Sequence, residues 1–151
     1  MKPLPHQYEV RLHGGPDGCA RICAVGLPEL HAAPPVAFDG PGDEWSPEHL
    51  LLAAVQACFL FTLRPVARLS KVEFTTLDAT AAGTVDRADG AIRFTDIVLR
   101  LRLTVPAGTD PERLQHVIEK SKKACLISAS LSVPVRLESQ IAQGVSQGDG
   151  S

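Results

Sequence analysis

Between residues 99 and 105 the chain alternates strictly: Leu99, Leu101, Leu103 and Val105 fall on one side, Arg100 and Arg102 on the other. A period of two is the mark of a strand with one buried face, and it predicts a strand over residues 92–105. A second long strand is predicted over 72–85, with the turn pair Asp89-Gly90 between the two as a hairpin signal. Nearer the start, two shorter strands are expected over 7–13 and 19–25, joined through Gly14-Gly15-Pro16-Asp17-Gly18. A loop containing Pro28, Pro34, Pro35 and Pro41 follows, with brief pairing at most over 36–38.

The pattern then changes period. Ser46 has the chemistry of an N-cap, Pro47 suits the first helical position, and Glu48 complements the positive end of a helix dipole. The run HLLLAAVQACFLFTL that follows is apolar on nearly every side. A helix of that kind, extending to Leu69, has to be covered on every side; in a chain this small, a sheet and a second subunit are expected to share the task. Pro65 lies inside it and cannot donate to the Phe61 carbonyl, which predicts a kink. A second helix should begin after Asp110 as N-cap, with Pro111 and Glu112 in its first turn. Its apolar stripe is Leu114, Val117, Ile118 and Ser121, and it should end near Ala124. A short turn or helix through Leu131 then leads into a final strand over 133–138. The Gly/Ser/Gln-rich stretch from Gln143 is expected to be a disordered tail. These elements make a single α+β domain over residues 1–142, with mainly antiparallel strands, no internal repeat and a tail over 143–151.

Composition narrows the class. With 151 residues, 44% hydrophobic and 21% charged, the chain can bury a core without disulfide staples. A net charge of −2 supplies no field for nucleic acid or for an anionic membrane, so neither is expected as a partner. The start MKPLPHQYEV has no apolar signal core, and the apolar run over 50–63 is shorter than the roughly 20 residues a membrane span needs. A cytoplasmic protein is expected, in which four cysteines are buried thiols or chemistry rather than a scaffold.

Two of them sit in a recognisable context. Trp45-Ser46-Pro47-Glu48-His49-Leu50-Leu51, followed by Ala53-Ala54 and by Ala57-Cys58-Phe59, resembles the signature helix of the OsmC/Ohr family, which reaches Ala-Cys-Phe ten residues after its Glu. Cys125, at the end of a charged helix, is similar to that family's second reactive cysteine, and Leu131-Ser132-Val133-Pro134-Val135 resembles the segment that follows it. The resemblance spans about residues 7–140. It implies an OsmC-like fold, with antiparallel sheets wrapped around a central buried helix, in an intertwined homodimer with two sites at its interface. It also implies a thiol-dependent peroxidase acting on organic hydroperoxides. Cys58 would attack and become a sulfenic acid, Cys125 would condense with it to a disulfide, and an external dithiol would restore both thiols. Glu48 would complete the site. No cofactor and no metal are implied.

Helix geometry bears on this independently. Ten residues are about 15 Å of rise, so Glu48 cannot touch Cys58 along its own helix, and a shared site needs another chain or a folded-back loop.

Two departures from the family pattern matter. The family arginine, which pairs with the Glu and polarises the peroxide, has Pro16 or Ala37 at its matched positions; Arg21 or Arg11 would have to substitute. The proline after the second cysteine is replaced by Leu126. A dimeric binding protein for a small apolar or electrophilic ligand is therefore the alternative, with Cys58 and Cys125 as core or redox-sensing thiols and Glu48 as a helix-start residue. Cys19 and Cys23 are expected to be packing residues on one face of a strand. His6, His13, His31, His49 and His116 show no ligand spacing.

Overall fold

A computed structural model describes residues 1–144, and the chain divides into two compact units after Leu51. The remainder of the predicted tail, 145–151, lies outside the described residues.

The N-terminal unit is built on three short strands: β1 (Arg11–His13), β2 (Ala20–Cys23) and β3 (Leu30–Ala32), antiparallel in the order β1-β2-β3. The first two are shorter than their apolar patterns suggested. The third is absent from the sequence reading, because three residues between two prolines carry no periodic signal. Residues 36–38 form a 3-10 turn rather than a strand; Asp39 follows in the left-handed region (φ 62°) and closes it onto the Val36 carbonyl. Trp45 bridges Ala32, and the Ala33 amide donates to the Trp45 carbonyl at 2.9 Å, extending the sheet by one contact.

Register sorts the side chains of this sheet. Arg11 pairs with Cys23, His13 with Arg21 and Arg21 with His31, so these share one face, with Leu12, Ala20 and Ile22 on the other. Cys19 and Cys23 are exposed, correcting their expected packing role, since their face is the polar one.

Helix α1 (Pro47–Leu69) begins where its cap signals place it. The His49 amide donates to Ser46 Oγ at 3.1 Å, and that oxygen also lies 2.6 Å from His49 Nδ1. It runs through Pro65 as one element. Its 23 residues are long and apolar enough to cross a membrane, against the expectation from the shorter apolar run. Its inner stripe, Val55, Phe59, Leu63, Val66 and Ala67, is nevertheless buried in protein.

That stripe is one wall of the core of the second unit. The sheet is β4 (Thr76–Ala88), β5 (Ala91–Val105) and β6 (Val135–Gln143), in that order. The β4–β5 turn has Asp89 at φ 51° and Gly90 at φ 78°, a type I′ geometry that suits the twist of the two strands. Strand β6 pairs with β5 in parallel, a departure from the mainly antiparallel expectation. The connection that makes this possible is α2 (Pro111–Ala124) followed by α3 (Leu126–Ala129). Asp110 caps α2 by accepting from the Glu112 amide at 3.0 Å. Leu114, Val117 and Ile118 join Leu99, Leu101, Leu103 and Val105 of β5 in the same core as the α1 stripe. The alternation of β5 and the stripe of α2 are thus two sides of one apolar layer.

The helix α1 is not covered on every side within one chain. Phe61 is 59% exposed and Ala57, Arg64 and Leu69 are exposed too.

Candidate active site

Two of the three expected site residues come together in the second unit. Cys58 lies half-buried on the middle of α1, and Cys125 is buried at the junction between α2 and α3, where it is the C-cap of one and the N-cap of the other. Both are free thiols. They are close enough for each to influence the other's ionisation, and they do so in opposite directions.

The asymmetry comes from the donors around them. Burial alone would raise the Cys58 pKa, but the Ile127 backbone, the Cys125 thiol, Thr62 and the Leu126 backbone all act to lower it, and their sum holds it below the ordinary thiol value. The Thr62 hydroxyl is mainly engaged elsewhere: it donates to the Cys58 carbonyl at 2.8 Å and stands 4.0 Å from the sulfur. For Cys125, burial dominates and raises the pKa. Ser128, whose hydroxyl donates to the Cys125 sulfur at 3.4 Å, offsets this only in part, and the neighbouring Cys58 pushes it further up. Cys58 therefore ionises more readily than Cys125.

A thiolate at Cys58 needs a cation or hydrogen-bond donors to stabilise it. The groups that lower its pKa within this chain are backbone amides, the Cys125 thiol and the Thr62 hydroxyl. Amides leave no trace in residue identity, with one exception: residue 126 has an N–H to give because it is Leu rather than Pro.

Glu48 belongs to the N-terminal unit. There it lines an apolar cavity of about 460 Å³ with Leu12, Ile22, Pro35, Phe38 and Leu50. Its Oε2 is buried and has no hydrogen-bond partner among the described residues. The two arginines considered as substitutes do not face this cavity. Arg11 and Arg21 project from the opposite face of the sheet, where Arg11 pairs with Glu9 at 3.1 Å and Arg21 with Glu29 at 3.7 Å. The alternation of β1 and β2 excludes them as partners of Glu48 within this unit.

This fold, an α+β arrangement with a cysteine at mid-helix and another after the next charged helix, agrees with what comparison with known proteins finds. Residues 40–139 match the OsmC-like protein family. An uncharacterised protein of Bacillus subtilis, YmaD, is 28% identical over 115 residues, covering 73% of this chain and 77% of that protein. Peroxiredoxin OsmC of Escherichia coli is 31% identical over 96 residues, 64% of this chain and 66% of that protein. The solved structure of an OsmC-like protein of unknown function from Vibrio cholerae superposes with a TM-score of 0.83 at 14% identity, over 90% of this chain and all of that one. The chain belongs to the OsmC-like protein family, and its fold is the OsmC-like fold.

Proposed function

We propose that this protein is a thiol-dependent peroxidase that reduces organic hydroperoxides, with Cys58 as the attacking thiolate and Cys125 as the resolving thiol. The observation that carries the reading is the pairing of a donor-rich thiol, the readier of the two to ionise, with a buried one held protonated. The similarity to a protein named peroxiredoxin OsmC supports the same class of chemistry.

The Cys58 thiolate attacks the terminal oxygen of ROOH, the O–O bond breaks, and the alkoxide leaves and takes up a proton as ROH. The Cys58 sulfenic acid is then attacked by Cys125, giving a disulfide and water. An external dithiol returns both thiols at the cost of its own oxidation. Apolar side chains around the site would favour an alkyl or aryl hydroperoxide over a small hydrophilic one.

The reading includes a homodimer in the cytoplasm. Exposed Phe61 and Leu69 on an otherwise core-forming helix support the dimer, since a second copy would cover the face that this chain leaves open. Four free cysteines suit a reducing compartment.

The test is direct. Reduced protein mixed with one equivalent of cumene hydroperoxide should lose two thiols and gain a Cys58–Cys125 disulfide. Cys125→Ser should stop at a sulfenic acid that dimedone traps on Cys58, and Cys58→Ser should leave the peroxide unreacted. Unchanged thiol counts in the wild-type protein would overturn the proposal. A second reading, a dimer that binds a small apolar or electrophilic ligand without turning over peroxide, is favoured by one specific observation: Glu48 has no cation beside it in its own unit.

A further inference from the structure

Cys19, His31 and Glu44 are far apart in the chain, but strand pairing gathers them on the N-terminal unit. Arg21 of β2 is opposite His31 of β3, which puts Cys19 one pleat along and diagonal to His31 on the same face. On the other side of β3, the Ala32–Trp45 bridge carries Glu44 alongside. One ligand atom from each, the Cys19 sulfur, an imidazole nitrogen of His31 and a Glu44 carboxylate oxygen, lie within 4.8 Å of one another.

We propose that Cys19, His31 and Glu44 form a zinc site on this sheet, with a fourth position open to water or to an incoming ligand. The donor set decides the metal. Thiolate, imidazole and carboxylate together suit Zn²⁺, whereas Mg²⁺ and Ca²⁺ select all-oxygen shells. The spacing fits as well. Tetrahedral bonds of about 2.0–2.3 Å put ligand atoms roughly 3.3–3.8 Å apart, so closure by about 1–1.5 Å at most is enough. Cys19 and His31 are exposed and Glu44 is half-buried, so each side chain can rotate inward.

A second feature points the same way. His31 Nε2 lies 3.5 Å from Glu29 Oε1, and Arg21 holds that same carboxylate at 3.7 Å. Metal-bound histidines ordinarily give their other ring N–H to a carboxylate, which fixes the tautomer and the ring plane. Glu29, steadied by Arg21, is placed for this. Two carboxylates and a thiolate around Zn²⁺, with Arg21 at the margin, leave the assembly near neutral. The bound ion would clamp β2, β3 and the segment at Trp45, a unit whose strands are only three or four residues long. Because Glu44 is two residues from the Ser46 cap, it would also stiffen the start of α1, where Glu48 stands.

Co²⁺ titrated into metal-free, reduced protein tests this, because a tetrahedral thiolate site gives a near-ultraviolet charge-transfer band and intense visible bands. Wild type, Cys23→Ser and Cys58→Ser should all show both at one equivalent, with displacement by Zn²⁺. Cys19→Ser should lose the charge-transfer band, and His31→Gln and Glu44→Gln should each weaken binding at least tenfold. Zn²⁺ should raise the melting temperature of wild type and Cys58→Ser but not of Cys19→Ser. A charge-transfer band that survives Cys19→Ser, vanishes with Cys58→Ser, or never appears in the wild-type protein would overturn the site. Peroxide turnover does not enter any of these readouts, so the result stands apart from the function of Cys58.

Discussion

The backbone N–H of Leu126 is one of the groups that lower the pKa of Cys58, and that donor exists only because residue 126 is not proline. Leu126→Pro is a clean way to remove it. Proline is well tolerated at the first position of a helix, and Cys125 before it is already extended at φ −67°, ψ 110°, as a pre-proline residue prefers. The Leu126 side chain is 65% exposed, so little packing is lost. The substitution should raise the Cys58 pKa and slow its alkylation by iodoacetamide at neutral pH only modestly, because the Ile127 backbone, Cys125 and Thr62 act on the thiol more strongly. Folding, followed by circular dichroism, should be unchanged. An unaltered alkylation profile would mean that the Leu126 amide contributes nothing to the thiolate.

The opposite shifts of the two cysteines give opposite pH signatures. Cys58, with its folded pKa lowered, adds stability above its unfolded pKa, and this is lost as pH falls through the folded value. Cys125, with its folded pKa raised, adds stability below its unfolded pKa, and this is lost as pH rises through the folded value. The difference between Cys125→Ala and wild type in denaturant melts should therefore be greatest near neutral pH, shrink as pH rises past the ordinary thiol pKa of about 8.5, and level off only above the raised folded value. Mass spectrometry of partly alkylated protein should find Cys58 labelled before Cys125.

Much of this architecture was legible before any coordinates. Ser46, Pro47 and Asp110 announce the starts of α1 and α2, Asp89-Gly90 announces the β4–β5 turn, and the alternation through Val105 assigns the buried face of β5. These are local signals, each confined to a few neighbouring residues. What was not legible is non-local. The direction of β6 is set by the α2–α3 crossover, and no side chain in β6 encodes parallel pairing. Strand β3 exists because β2 is there to pair with it. In the site, the cysteine pair stood out in the sequence. The amides of Leu126 and Ile127 did not, because a backbone N–H belongs to every residue except proline. Arg11 and Arg21 are no partners of Glu48 within the N-terminal unit, because strand alternation turns them onto the other face of their sheet.

Strand β6 is tied to β5 by a two-point ion pair, Arg136 Nε to Asp96 Oδ1 and Arg136 Nη2 to Asp96 Oδ2, both at 2.9 Å. Hydrogen bonding from Arg136 holds the Asp96 pKa below its usual value. A lowered carboxylate pKa adds stability above the unfolded pKa, which is lost as pH falls through the folded one. The pair is exposed to solvent, so its effect should be small and should fade with salt. Arg136→Met should lower the melting temperature slightly at neutral pH and low salt. The difference should disappear both in high salt and in acid below the folded Asp96 pKa. A penalty that persists in acid would assign the role of Arg136 to packing.

Phe59 and Phe61 are two residues apart on α1 and face different environments. Phe59 is 1% exposed in the core, whereas Phe61 is open on the outer side. Phe59→Ala should cost about 3–5 kcal/mol of unfolding free energy, as the loss of a buried aromatic does. Phe61→Ala should cost a chain on its own well under that. If a second copy covers the outer face, sedimentation of Phe61→Asp at micromolar concentration should shift from twice the chain mass toward one, with the fold retained. A wild-type protein that sediments as a folded monomer would remove the dimer from the proposed function.

Glu48 separates the two functional readings. One of its carboxylate oxygens is buried with no donor among the described residues, an arrangement that works against stability. Glu48→Gln keeps the shape and puts an amide where the charge was, so the stability should not fall beyond the few tenths to about 1 kcal/mol expected from losing an acid in the first turn of a helix. If Glu48 serves the peroxidase, Glu48→Gln should reduce kcat/KM for cumene hydroperoxide at least tenfold, about 1.4 kcal/mol of transition-state stabilisation. The rate of Cys58 alkylation should meanwhile stay as in the wild type. That split would show that the carboxylate acts on the peroxide rather than on the thiol. An unchanged kcat/KM with slightly lower stability would leave Glu48 as a helix-start residue, and the apolar cavity it lines would then be read as a binding site without peroxide chemistry.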